Sequence, residues 1–323
     1  MTSINTNVSA MTALQSLSMI NSNLNQTQSR ISTGFRVGDA SDNAAYWSIA
    51  TTMRSDNKAL GAVEDALGLG QAKLDTAYTG MKAAIDVVDE IKAKLVAARE
   101  PGVDRNKIQS EITELQGQLS SIATSASFSG ENWLAFDGAG VNKDIVSSFN
   151  RDSAGAVSVG TIQIDISAVK LYGDDGAGTP VQDGILDTVV AFGTGTAINI
   201  EVASLNISTA VLTDAIITAS HATPGDNTFD DVADAMISAV DTALQRMTTA
   251  ASNLGAAKNR TDIQSEFVST LRDSIEKGVG TLVDADMTEE STRLKALQTQ
   301  QQLGVQALSI ANASSESLLA LFR

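Results

Sequence analysis

No cysteine occurs in this chain of 323 residues, only one histidine, and only three prolines. Without cysteine there is no disulfide framework, no thiolate metal site and no cysteine nucleophile. His221, beside Pro224 and Gly225, has no nucleophile motif for company and reads as a solvated loop residue, not a general base. No G-x-G-x-x-G, P-loop or H-E-x-x-H pattern is present, so neither a cofactor nor a metal is expected. Cationic charge is scarce as well: 22 Lys and Arg against 38 Asp and Glu leave a net charge of −16. Phosphate neutralisation needs clustered Lys and Arg, and no such cluster exists, so nucleic acid is not an expected partner. No apolar run reaches the ~18 residues that a membrane-crossing helix needs. The start of the chain lacks the basic region and continuous apolar core of a secretory signal. Taken alone, these signals read as cytoplasmic.

Charge is missing most sharply at the two ends. The first ionisable side chain is Arg30, where average usage would place about five or six charges before it. From Gly304 to Arg323 only Glu316 and Arg323 are charged. An exposed helix normally carries a solvating charged face, so charge-poor ends rich in Asn, Gln, Ser and Ala read as helices meant to be buried. Ile4, Val8, Met11, Leu14, Leu17, Ile20 and Leu24 form one apolar stripe; Leu294, Leu297, Val305, Leu308, Leu319 and Phe322 form another. Each helix alone is marginal. The expected topology is an antiparallel pair of chain start and chain end, assembled with other copies.

Between the ends the chain has two characters. From Ile49 a three/four spacing runs through Met53, Asp56, Leu60, Val63, Leu67, Gly70, Leu74, Ala77, Met81, Val88, Ile91 and Leu95, with Ala84 or Ile85 filling its one gap. It stops at Pro101-Gly102 and resumes at Ile108, Ile112, Leu115, Leu119 and Ile122. It returns at Val232, Met236, Val240, Ala243, Met247, Ala250, Leu254 and Ala257, then through Gln264, Leu271, Ile275 and Leu282 with gaps. Such seams predict long helices at small crossing angles, one of them over about 43–99, arranged as a rod. The segment 130–230 differs: it is acidic and glycine-rich. Its runs Thr161–Ile166 and Ile198–Val202 alternate apolar and polar, as strands do. Gly173–Gly178 reads as an acidic turn whose spacing fails the EF-hand pattern. Asn206-Ile207-Ser208 has the form of a glycosylation sequon and is expected in a strand or helix start. Tyr46, Trp47 and Trp133 are expected to anchor packing. The fold class is mainly α: coiled-coil-like helices from both ends of the chain, with a small β-containing domain inserted.

Several motifs then resemble those of one family. Ile4-Asn5-Thr6-Asn7 is followed by Arg30-Ile31-Ser32-Thr33-Gly34-Phe35-Arg36-Val37 and by Asp39-Ala40-Ser41-Asp42-Asn43-Ala44-Ala45-Tyr46-Trp47-Ser48-Ile49-Ala50. Asp104–Ile112 and Phe128–Leu134 add two more signatures. Asn253–Ala256 with Asn259-Arg260, Val283–Glu290 and Leu318–Arg323 complete the set. Over about 1–137 and 235–323 the chain resembles a bacterial flagellin, and the middle matches nothing beyond that family's variable outer domain.

The resemblance implies a non-enzymatic structural subunit of an extracellular filament, exported through the flagellar type III apparatus without a cleaved signal. That overturns the cytoplasmic reading. It implies three parts: inner-tube helices over 1–42 and 286–323; a helical rod over 43–137 and 231–285, with a β-hairpin near 128–150; and a solvent-facing variable domain over 138–230. The implied partners are other copies of the chain, other flagellins, an export chaperone and a filament cap, with no membrane. The expected assembly residues are Ile4, Val8, Met11, Leu17, Leu24, Leu308, Leu319 and Phe322 on the terminal helices. Arg36, Asp39, Tyr46, Trp47 and Arg54 are expected in lateral contacts. Within the family a hook–filament junction protein is the alternative; outside it, a filament-displayed adhesin or enzyme acting through 138–230. Tyr46-Trp47-Ser48, where many flagellins have Gly-Leu and a polar residue, resembles the version in plant-associated alphaproteobacteria that build complex filaments. Glu90 stands where an arginine read by the animal Toll-type receptor is usual, which implies a weak receptor response.

Overall fold

The computed structural model describes residues 7–100, 102–137, 142–174, 180–181, 184–187, 190–192, 198–208 and 229–321. Its long helices are α1 (Val8–Thr33), α2 (Ala44–Ala98), α3 (Arg105–Ser125), α4 (Phe229–Val283) and α5 (Met287–Leu321). The chain divides into two compact units, one of residues 1–59 and 271–323 and the other of residues 60–270.

In the terminal unit, α1 and α5 form the expected antiparallel pair. Asn7 Nδ2 donates to the Ala311 carbonyl at 3.0 Å, Gln301 Nε2 to Asn21 Oδ1 at 2.8 Å and Arg30 Nη1 to Glu290 Oε1 at 3.1 Å. As the numbering climbs on one helix, it falls on the other. Asn7 caps the start of α1 by accepting from the Ala10 amide at 3.0 Å. Gly34 ends it at φ 76°, a left-handed turn that a side chain would strain, its amide donating to the Arg30 carbonyl. The chain then bonds to the α4–α5 joint. The Arg36 and Val37 amides both donate to the Val283 carbonyl, and the Ala285 amide donates to the Gly34 carbonyl at 2.9 Å. A small core of Val37, Ala50, Val279 and Val283, flanked by Phe35, Met53, Ile275 and Leu282, lies under this joint.

The second unit has a different interior. Leu67, Leu74, Met81, Ala84, Val88 and Ile91 of α2 are fully buried, as are Ile112 and Leu119 of α3 and Val232, Val240, Met247 and Leu254 of α4. These are the seam positions that the spacing predicts. Charged pairs flank the seam between antiparallel α2 and α4: Lys92 with Asp241, Asp75 with Lys258, and Arg99 with Asp234 at 2.5 Å. Gln71 adds a hydrogen bond to Asp262 at 2.8 Å. Past Leu254 the seam passes to Thr261 and Val268, both buried. The Thr261 hydroxyl donates to the Ala257 carbonyl at 2.9 Å, which lets a polar side chain occupy a core position.

Short strands follow α3. β1 (Ser127–Phe128) and β2 (Glu131–Asn132) form a tight hairpin, and β3 (Ala135–Asp137) leads onward. β4 (Lys143–Arg151) and β5 (Val157–Ile164) pair antiparallel with a bulge between Val146 and Ser148. Ile145 of β4 lies against α2 at Gly70, where an added Cβ would sit 2.5 Å from its Cγ2; only glycine admits so close a strand. β6 (Tyr172–Asp174) pairs parallel to β3 and antiparallel to β7 (Pro180–Val181), and β8 (Val190–Phe192) pairs with β9 (Ile198–Ile200). The run Gly173–Gly178, read as a turn, thus begins in strand at Gly173 and Asp174, because β3 offers an edge to pair with; its remainder and His221 lie outside the described residues. Asn206 is in neither strand nor helix. Its side chain accepts from the Ser208 amide at 2.9 Å, a local turn that competes with regular structure.

The inserted module has a polar interior that the sequence did not signal. Lys170 is fully buried, its Nζ 4.5 Å from the centre of the Phe136 ring. Asp187, also buried, accepts from the Gly173 amide at 2.7 Å. Burial, with the Asp187 charge nearby, pushes the Tyr172 phenol far above its ordinary range. Gln109 and Gln116 of α3 strap the segment 202–207 down: Gln116 donates to the Val202 and Leu205 carbonyls, and Gln109 accepts from the Ile207 amide at 2.7 Å.

Candidate assembly surfaces

A helix made of an amphipathic sequence should hide its apolar face. α1 does not: Thr27 is its single buried residue among the described ones, and Val8, Met11, Leu14 and Met19 are exposed. On α5, Leu297 and Glu290 are buried while Leu303, Val305 and Ile310 are exposed. One groove between the helices, about 450 Å³, is walled by methyl and hydroxyl groups of Val8, Ser9, Thr12, Ala13, Ser16 and Ala307. It has no charged lining.

The expected assembly residues fall into two sets. Val8 and Met11 face solvent, whereas Leu17, Leu24 and Leu308 are half-buried where α1 and α5 meet. Ile4 and Phe322 lie outside the described residues, and Leu319 falls within α5. Beyond the Gly34 turn, Arg36 and Asp39 are exposed. The Arg36 guanidinium donates to the Leu282 carbonyl at 3.0 Å. Arg54 stacks over the Phe35 ring at 4.8 Å, an intrachain contact.

Tyr46 and Trp47 correct an expectation. Neither anchors packing in its own chain: they are 43% and 38% exposed, in the first turn of α2 capped by Asn43. Ala50 is the residue of that turn region that enters the core, and Ile49 points outward. Trp133, by contrast, is buried as expected, its indole N–H donating to Glu131 at 3.4 Å. Lys73 holds the Glu131 carboxyl below the usual carboxylate range, chiefly through its hydrogen bond at 3.0 Å.

Sequence reasoning missed several exposed apolar residues: Met19, Leu303 and Ile310 in the terminal unit, and Leu69, Ile263, Phe267, Val157 and Val159 in the second. For those on helices the signal is an apolar residue off the seam of its own helix; Val157 and Val159 lie on the exposed positions of β5. Ile263 and Phe267, four apart on α4, show it most clearly, since Thr261 and Val268 hold the seam there. No group of acidic or histidine side chains suited to a metal occurs among the described residues, and no described helix is long and apolar enough to cross a membrane.

Comparison with known proteins identifies the family. Residues 4–138 match the bacterial flagellin N-terminal helical region, and residues 237–322 match the bacterial flagellin C-terminal helical region. Flagellin C of Rhizobium meliloti (strain 1021) is 54% identical over 328 aligned positions, and Flagellin A of Rhizobium meliloti is 48% identical over 395. A flagellin of Brucella melitensis is 46% identical over 324. Each alignment covers all of this chain and all of the relative. The chain belongs to the bacterial flagellin family and is a structural subunit of the flagellar filament.

Proposed function

We propose that the exposed faces of α1 and α5 are the surfaces through which copies of this chain join into a helical tube. The observation that carries this reading is the 26-residue helix α1 with Thr27 alone buried among the described residues. A chain of this length has enough apolar material to cover such a helix itself, yet Val8, Met11 and Leu14 are left to solvent. Contacts that do not close on themselves extend into an open filament. In this reading residues 1–42 and 286–323 line the inner tube, where Asn, Gln and Ser side chains pass a transiting chain without holding it by charge. Residues 43–137 and 231–285 form the next shell, with the strands near 128–150, and residues 138–230 face outward. Tyr46, Trp47, Arg36, Asp39 and Arg54 belong to the lateral contacts.

Export unfolded, without a cleaved signal, is part of the proposal, as are an export chaperone, a filament cap and co-assembly with other flagellins. The composition supports it: no disulfide has to be undone, and three prolines leave few slow isomerisations on refolding. The terminal helices would order as they assemble, the entropy cost being met by burial between subunits. Deletion of 1–30 or of 300–323 is the test. The truncated chain should keep a soluble helical core and fail to grow on filament seeds; growth at the full-length rate would overturn the reading.

A further inference from the structure

Sulfur is unevenly placed in this chain. With no cysteine, its eight methionines carry its only sulfur atoms; Met1 lies outside the described residues. Met81, Met236 and Met247 are buried, all three in the second unit. The exposed ones all belong to the terminal unit: Met11 at 66%, Met19 at 58% and Met287 at 45%. Met53, of the same unit, is half-buried against the small core under the joint. Among the described residues, every thioether open to a dissolved oxidant therefore lies in the terminal unit.

Met11 and Met19 share the uncharged side of α1. Eleven residues make about three turns, so Met19 lies in line with the exposed Val8, and Met11 stands one turn from Val8 on the same side. No ionisable side chain precedes Arg30. Met287 has other surroundings: it opens α5, in the same turn as Glu289 and Glu290.

Hydrogen peroxide converts a thioether to a sulfoxide. The sulfur gives an electron pair to one peroxide oxygen as the O–O bond breaks and an S–O bond forms. The second oxygen takes the proton of the first and leaves as water, so sulfur is oxidised and peroxide reduced. A flexible apolar side chain becomes polar and chiral, an acceptor with no donor. On the free subunit water solvates it. In a dry contact between copies nothing does, and an unmatched polar group there is unfavourable.

We infer that Met11 and Met19 are an oxidation switch on assembly. Peroxide that meets the free subunit turns this side of α1 polar and bars the subunit from the polymer; methionine sulfoxide reductases acting on both epimers return it; a subunit already assembled is shielded. The inference rests on the exposed side of α1 being a contact between copies, as proposed above.

The test needs no variant. Soluble full-length chain is treated with hydrogen peroxide until thioether and sulfoxide coexist at each exposed site, then offered unoxidised seeds, isotope-labelled so that their peptides stay apart. Peptide mass spectrometry reads each site in the new polymer and in the chain left in solution. Sulfoxide at Met11 and at Met19 should be depleted in the polymer by about tenfold, while sulfoxide at Met287 divides evenly. Treatment of the oxidised chain with both reductases should restore its uptake. Equal sulfoxide at Met11 and Met19 in polymer and solution overturns the inference, as does a depletion that Met287 shares, which marks general damage. Peroxide applied to finished polymer separates this failure from that of the assembly reading. If Met11 and Met19 are protected there yet show no depletion, the switch fails and the assembly reading stands; if they oxidise in polymer as fast as in solution, both fail.

Discussion

Leu74 and Leu303 sit on long helices of the same chain, in sequences with the same three/four apolar spacing, and meet opposite fates. Leu74 is completely buried, in a unit where α2 and α4 cover each other's seam and place Lys92, Asp241, Asp75 and Lys258 along its rim. Leu303 is 59% exposed, on a helix whose partner α1 has no charge before Arg30. In the second unit apolar residues and charges divide the helix surface between core and water. In the terminal unit that division is absent: apolar side chains of α1 and α5 lie on the exposed side. On the function proposed above, that uncharged side is the part of the subunit its neighbours complete.

The sharpest way to break this comparison is to truncate both leucines. Leu74→Ala should lower the unfolding free energy of the soluble chain by about 2–5 kcal/mol, through lost transfer energy and the cavity left behind. Leu303→Ala should leave soluble stability within about 0.5 kcal/mol, yet raise the concentration of subunit needed for growth on seeds. Denaturant unfolding of the soluble chain and sedimentation of polymer measure the two. Equal losses in soluble stability would mean that α5 is already packed in the isolated subunit, and the contrast between the units would collapse.

Trp47→Ala probes the same contrast with a smaller effect. A tryptophan 38% exposed in the free chain has surface left to bury, and truncating a central aromatic contact typically costs more than about 1 kcal/mol of association. The critical concentration for polymer should rise about fivefold to tenfold, with a melting shift in the soluble chain of only a few degrees. Matching losses in both would place Trp47 in intrachain packing.

The two regions also differ in how legible they were. In α2 the seam from Leu60 to Leu95 was readable residue by residue, because charged neighbours outline the buried face, and Ala84 fills its gap. Just beyond Leu254 the apolar spacing points to Gln264 and Leu271, whereas Thr261 and Val268 are buried there. A threonine whose hydroxyl is satisfied by its own helix is apolar in effect and polar in any hydropathy pattern. Ile49 and Ala50 differ in the same way: the larger side chain marks the spacing, while Ala50 is the one buried with Val37, Val279 and Val283. The antiparallel pairing of α1 and α5 was legible from what both lack. The Lys170–Phe136 contact, the buried Asp187 and the glutamine straps from α3 were not, since each joins residues far apart in sequence that only the folded chain brings together.

The smallest effect separates two depressed carboxylates. Lys92, mainly through its hydrogen bond, holds the Asp241 carboxyl below its usual range in the second unit. In the terminal unit the amides of Glu289 and Thr288 do the same for Asp286 at the start of α5. A carboxylate depressed by folding adds stability above its unfolded pKa of about 3.9 and loses it as pH falls through the lower folded value. Both groups should therefore contribute to acid destabilisation below about pH 4. Their responses to salt should differ, because an exposed ion pair is screened and a capping hydrogen bond is not. Asp241→Asn should flatten the fall in stability on acidification at low salt and do little at about 1 M salt, where the Debye length is near 3 Å. Asp286→Asn keeps a capping oxygen but removes the charge, so it should flatten the acid slope at either salt while changing neutral-pH stability little. Denaturant midpoints between pH 6 and pH 3 at two salt concentrations decide it. If Asp286→Asn behaves as Asp241→Asn does, the start of α5 is held by diffuse charge and not by its cap, and the two units are electrostatically alike after all.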